Sequence, residues 1–180
     1  MNIFYLHTDP IECAQEHCDK HVVKMIIEYA QLLSTAHRVL DGKEYIDASS
    51  GRRIKRWKLS DDREDYLYKA SHINHPSAIW TRQSIENYQW LYKLFVALCN
   101  EYTHRYGKVH KTDTLLRIKL SQTPTFMRQK VLTRIPQAMP DHCKKVQPLD
   151  AYRNYYILEK ARFAKWTNRQ TPEWFSNAVL

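Results

Sequence analysis

The chain has 180 residues, with 28 Lys and Arg against 19 Asp and Glu, a formal net charge of +9, and 43% hydrophobic residues. That length and balance support one compact domain with its own core and exclude a disordered chain. No apolar run approaches the roughly 18 residues of a membrane-spanning helix, and three glycines are too few for a phosphate loop or a dinucleotide fingerprint.

In chain order, Asn2 to Leu6 predict a short extended segment, followed by Asp9 as N-cap and Pro10 at the first helical position. A long helix is then expected to Leu40, with a kink near Cys18 and Asp19, closed by Gly42. Residues 43–75 read as an irregular basic insertion, with a small hairpin from Tyr45 to Leu59 turning at Ser49, Ser50 and Gly51, and a short helix in Asp61 to Ala70. A second long helix is expected from Ser77 to Tyr106, since Ile79, Trp80, Ile85, Tyr88, Leu91, Leu94, Phe95 and Leu98 recur at helical spacing. Pro124, Pro136, Pro140 and Pro148 limit the next stretch to short helices. A third main helix should run from Leu149 to Trp166. The expected fold is a single all-α domain, residues 1–180, with three main helices.

The first long helix carries the sharpest chemical signal. At 100° per residue, His17, His21, Lys24, Glu28, Gln31 and Thr35 lie within about 40° of one line. Val22, Met25, Ile26, Tyr29, Leu33 and Ala36 form an apolar stripe roughly 120° away, and Val23, Ile27 and Ala30 cover the back, so the helix is apolar on most sides and expected to be buried. A narrow ionisable stripe on a helix that is otherwise apolar faces a cleft or a partner. There, Lys24 keeps Glu28 ionised, and histidines titrate near neutrality. The alternative is a solvated edge or an internal ion-pair network. Cys13, His17 and His21 have the spacing of metal ligands, but one helix supplies too few convergent donors and there is no HExxH, so no metal and no cofactor are expected. The cysteines Cys13, Cys18, Cys99 and Cys143 form no CxxC pair and are expected to be reduced thiols.

A second signal is the run Arg52, Arg53, Ile54, Lys55, Arg56, Trp57 and Lys58, which could track phosphates and stack a base; a solvated hairpin tip is the plainer reading. His75 precedes the second helix, with Trp80 and Arg82 on its first turns, and faces the Glu28 cleft if the two helices pack antiparallel. Positive charge with 12% aromatic residues points to a polyanion, nucleic acid first.

The run from Cys18 to Leu33 fits the pattern DK(H/R)xxKxxxExxQ(I/L)L of a group of phage and bacterial proteins, which share the Asn74-His75-Pro76 run before a Trp80-bearing helix. More distantly, the chain resembles the phage pyrimidine dimer DNA glycosylases of the endonuclease V type. In these small all-α proteins the long first helix carries a His and, seven residues later, a catalytic Glu, the spacing of His21 and Glu28. Ile135-Pro136-Gln137 and Thr171-Pro172-Glu173-Trp174 resemble short runs near the end of those proteins. The resemblance covers most of the chain outside Lys43 to Ala70.

The resemblance implies a repair or base-modification enzyme acting on duplex DNA at a flipped base, in the cytoplasm of a bacterial host if viral, and expected to be monomeric. An N-terminal amine would attack the sugar C1′ as a Schiff-base nucleophile, assisted by Glu28. Family members expose a Thr amine after methionine removal, whereas Asn2 should leave Met1 attached here. The catalytic-helix arginines of the family correspond to Ile27 and Gln31. Catalytic candidates are Glu28, Met1, Asn2, His21 and Lys24; DNA-contact candidates are Lys20, Gln31, Arg52, Arg53, Lys55, Arg56, Trp57, His75 and Arg82. Two alternatives stand beside this reading: a non-catalytic nucleic-acid-binding module of the same fold, and a binder of nucleotides or small phosphorylated ligands.

Overall fold

The computed structural model describes residues 1–179. Its elements are α1 (Pro10–Glu16), α2 (Asp19–Asp41), β1 (Lys43–Asp47), β2 (Ile54–Lys58), α3 (Arg63–Tyr66), α4 (Pro76–Gln83), α5 (Ile85–Tyr106), α6 (Lys111–Leu116), α7 (Pro148–Tyr155) and α8 (Glu173–Val179). A 3-10 turn, Asp141–Cys143, precedes α7; a π-helical turn, Tyr156–Lys160, and a 3-10 turn, Ala161–Phe163, follow it. The chain is mostly helical, but the expected three main helices resolve into shorter pieces. Among the described residues only α2 and α5 exceed 20 residues.

Capping side chains mark where α1 and α5 begin. Asp9 accepts the N–H groups of Ile11 and Glu12 to start α1, and His17 and Cys18 then go extended, splitting the predicted first helix in two. Ser84 does the same between α4 and α5: its hydroxyl accepts the Asn87 N–H and donates to the Val131 carbonyl. A side chain that caps the next helix and ties down a distant loop outweighs helical periodicity at one residue. The predicted third helix is α-helical only to Tyr155 before it widens into the π turn.

Gly42 ends α2 through close approach rather than a left-handed φ. A Cβ there would lie 2.5 Å from the Arg38 carbonyl oxygen and 3.2 Å from Trp57 Cβ, where the hairpin folds back. The hairpin pairs Lys43 with Lys58 through Asp47 with Ile54, and Gly51 (φ 74°) turns its tip.

One hydrophobic core runs through the described chain. It joins Ile3, Phe4 and Leu6 to the inner faces of α1, α2 and α5, and to Tyr152, Tyr156, Trp166 and Phe175 from the last third. No helix among the described residues is long and apolar enough to cross a membrane.

Candidate active site

The N-terminal segment is extended and buried but joins no sheet, so its backbone polar groups need other partners. Side chains supply them. The Ile3 N–H donates to Asn2 Oδ1 (2.8 Å) and the Phe4 N–H to the Tyr29 hydroxyl (3.2 Å). Cys13 Sγ donates to the Phe4 carbonyl and accepts the Leu6 N–H. Arg153 Nε donates to the Leu6 carbonyl (2.9 Å).

The Tyr29 link fixes the register of this segment on α2. His17 Nδ1 faces the Cys13 carbonyl at 2.6 Å, so Nδ1 carries the proton and the neutral Nε2 accepts from the Tyr29 hydroxyl at 2.8 Å. That hydroxyl therefore donates to His17 while accepting from Phe4. Burial holds His17 down to about 4, which keeps the relay neutral. Both His17 nitrogens and the Cys13 thiol are committed to hydrogen bonds within the core, so this trio is structural.

One residue before Tyr29, Glu28 receives the chain start. The Met1 amine lies 3.5 Å from Glu28 Oε2, with the Met1 side chain only 2% exposed and that of Glu28 14% exposed. Lys24 Nζ approaches the other oxygen, Oε1, at 3.2 Å and is 63% exposed. One carboxylate thus sits between an amine anchored by a buried methionine side chain and a solvent-facing cation. His75 borders the same charges. It caps α4, its Nδ1 accepting the Ser77 N–H at 3.1 Å. Burial lowers its pKa first, the Met1 amine and His72 lower it further, and Glu28 pulls the other way. Arg82 holds the turn before it by donating to the Ile73 carbonyl at 2.7 Å, within a turn where His72 takes a left-handed φ of 50°.

Several sequence expectations are revised. Asn2, a catalytic candidate, is buried with its amide engaged: its Nδ2 donates to the Ala138 carbonyl at 2.8 Å and its Oδ1 lies 3.0 Å from the Tyr152 hydroxyl, so it clamps the segment that places Met1. His21 does not titrate near neutrality. It stacks on Phe4 at 4.1 Å, its Nδ1 is bonded to the Tyr156 hydroxyl at 2.5 Å, and burial followed by the charge of neighbouring bases holds it down to about 2. Thr35 is buried too, accepting the Ser71 N–H. The back of α2 is the opposite case: Ala30 is buried, but Val23 is 44% and Ile27 41% exposed. The accessible parts of the polar stripe and of the back therefore form one outward face, with Lys20, Val23, Lys24 and Ile27 exposed and Glu28 and Gln31 half-buried.

The basic insertion is divided as well. Arg52 and Arg53 are exposed at the hairpin tip. Lys55 pairs with Glu44 at 3.0 Å, and Arg56 Nε lies 3.9 Å from Asp47. Trp57 is buried beneath the hairpin, with no open face for a base. From Glu28 to the end of α2 is about 20 Å at 1.5 Å per residue, so the insertion and the amine site are separate features. Lys20 lies over the Phe163 ring at 4.6 Å.

Sequence periodicity missed Tyr29, Tyr152 and Tyr156, which read as ordinary core aromatics. Their positions give no sign of the hydroxyl bonds that hold the chain start and His21. No curated protein and no solved structure matches the chain. A model of the family described as pyrimidine dimer DNA glycosylase does match, over residues 1–115, a span that holds the amine, Lys24, Glu28, His75 and the hairpin. With that match over more than half its length, the chain belongs to the pyrimidine dimer DNA glycosylase family.

Proposed function

We propose that this protein is a DNA glycosylase with abasic-site lyase activity, acting on a nucleotide extruded from duplex DNA. The observation that carries the reading is the 3.5 Å separation between the Met1 amine and the Glu28 carboxylate. Glu28 takes a proton from the amine, whose lone pair attacks the sugar C1′. The bond from C1′ to the base breaks, the base leaves with its electrons and takes a proton from the newly bonded nitrogen, and the sugar ring opens to an iminium linkage as O4′ takes the proton held by Glu28. Loss of a C2′ proton then expels the 3′ phosphate, and water releases the amine. At a preformed abasic site the amine condenses with the C1′ aldehyde and releases water.

The other residues divide between contact and placement. Lys24 meets a flanking phosphate from the solvent side, and Lys20 and Gln31 extend that face along α2. Neutral His75, with Nδ1 engaged, offers only an Nε2–H donor to the sugar. Asn2 and His21 are positioning residues. Arg52 and Arg53 reach DNA farther along, with Lys55 and Arg56 as weaker contributors. Because residues beyond 115 complete the same core and supply Tyr152 and Tyr156, we read the whole chain as one domain of this type.

Borohydride trapping on duplex DNA with a single abasic site tests the reading, comparing the native chain with one whose amine is blocked by acetylation. A covalent adduct is expected only with the free amine. Tight DNA binding without an adduct would instead establish the non-catalytic binding module. Absence of DNA binding would leave the small-ligand reading.

A further inference from the structure

A second group of chemically active side chains lies in the last third of the chain, outside the amine site. His142 and Cys143 end the 3-10 turn before α7, and Glu159 lies in the π turn after it. One imidazole nitrogen, the thiol sulfur and one carboxylate oxygen all lie within 4.8 Å of one another, with His142 Nε2 2.8 Å from Glu159 Oε1. A hydrogen bond between His142 and Glu159 explains two of these groups and leaves the thiol unexplained. Cys13, Cys18 and Cys99 belong to the contiguous hydrophobic cluster; Cys143, also closed to solvent, lies outside it. It is a sheltered sulfur set against polar donors rather than an apolar filler.

We propose that His142, Cys143 and Glu159 bind one zinc-class divalent ion, linking the turn before α7 to the π turn after it. Nitrogen, sulfur and oxygen together form a donor set suited to a borderline-soft dication. Bond lengths of 2.0 to 2.3 Å in a tetrahedron put donors about 3.3–3.8 Å apart. The widest separation here must close by about 1 Å and the His142–Glu159 pair must open slightly. Both His142 and Glu159 are at or near the surface and free to make that adjustment. Cys143 is already fixed by its backbone: its N–H donates to the Pro140 carbonyl at 2.9 Å and its carbonyl accepts from Asn154 Nδ2 at 3.1 Å. On binding, the thiol proton leaves to solvent, and thiolate plus carboxylate balance the dication. A fourth position stays open to water. Tyr156, the first residue of the π turn, is the hydroxyl that holds His21, so the ion would brace the wall behind the amine site. The proposal stands whether or not the amine is catalytic.

The test is titration of the chelator-stripped protein with Co2+, followed by Zn2+. One equivalent of Co2+ should give a thiolate-to-cobalt charge-transfer band in the near ultraviolet with tetrahedral visible bands, and Zn2+ should bleach both. Cys143→Ser should abolish the near-ultraviolet band. His142→Gln and Glu159→Gln, at or near the surface and so expected to fold normally, should each weaken Co2+ binding at least tenfold, and zinc should raise the melting temperature of the native chain but not of Cys143→Ser. The proposal is overturned by a native chain with no such band, by a band that persists in Cys143→Ser, or by unchanged affinity in both surface variants. If Cys143→Ser does not fold, those two surface variants decide.

Discussion

Replacing Glu28 with Gln separates chemistry from architecture, because it keeps size and helix propensity and removes only the charge. At 3.5 Å the attraction between the Met1 amine and the carboxylate is about 5 kcal/mol at an effective dielectric of 20, and desolvation of both groups cancels most of it. Lys24 adds little, being 63% exposed at 3.2 Å. The amide oxygen of Gln can still accept a hydrogen bond from the amine. The net loss should therefore be about 1–2 kcal/mol, well short of the roughly 3–5 kcal/mol for breaking a fully buried pair. For a domain of this size that lowers the melting temperature by about 2–8 °C. Strand cleavage at an abasic site should fall by at least about 10²-fold, the low end for loss of a general acid–base group. Calorimetry and a gel cleavage assay on one preparation measure both quantities. Cleavage within tenfold of the native rate would refute the role of Glu28, and a collapse in stability would show that it is chiefly a structural anion.

Tyr29→Phe removes the hydroxyl that accepts the Phe4 N–H and donates to His17, leaving buried groups unpaired; a loss of about 1–3 kcal/mol is expected by denaturant titration, with a matching drop in borohydride trapping, and an unchanged trapping yield would show that the relay does not place Met1. Replacing Arg52 and Arg53 together with Ser should reduce the log–log salt slope of duplex binding by about 1.8, at roughly 0.9 per phosphate contact, with no change in melting temperature; an unaltered slope would make the tip a solvated turn. Acid should unfold the protein early. His17 and His37 are held down to about 4 and His21 to about 2, chiefly by burial. Above about pH 6.5 these groups are neutral in both states and have no effect, but below it the unfolded chain takes up protons that the folded chain refuses. Stability is then lost toward pH 4 at about 3 kcal/mol per histidine. Three such losses rival the whole stability of a domain, so a melting temperature flat from pH 7 to 4.5 would contradict the neutral-histidine core.

Features that depend only on neighbours along the chain are legible in the sequence. Asp9 and Pro10 start a helix, Gly51 turns a hairpin, and the seven-residue step from His21 to Glu28 follows from helix geometry alone. The same logic, applied to Val23 and Ile27, misplaced them inside, because periodicity reports that a face is apolar without reporting what packs on it. The other features depend on long-range packing. His21 and Glu28 share a stripe in projection, yet Phe4 and Tyr156 close over one and leave the other half-buried beside the amine. Asn2 reads as a polar residue next to a nucleophile and becomes a clamp only because Ala138 and Tyr152 come from more than 130 residues away. Ser84 looks like one more residue of a long helix until the Val131 carbonyl arrives to take its hydroxyl. Trp57 sits in a run of bases, and its ring turns inward only because the hairpin folds back onto the end of α2. In each case a long-range partner supplies a hydrogen bond or excludes water, and a pattern read along one segment carries no information about a partner on another.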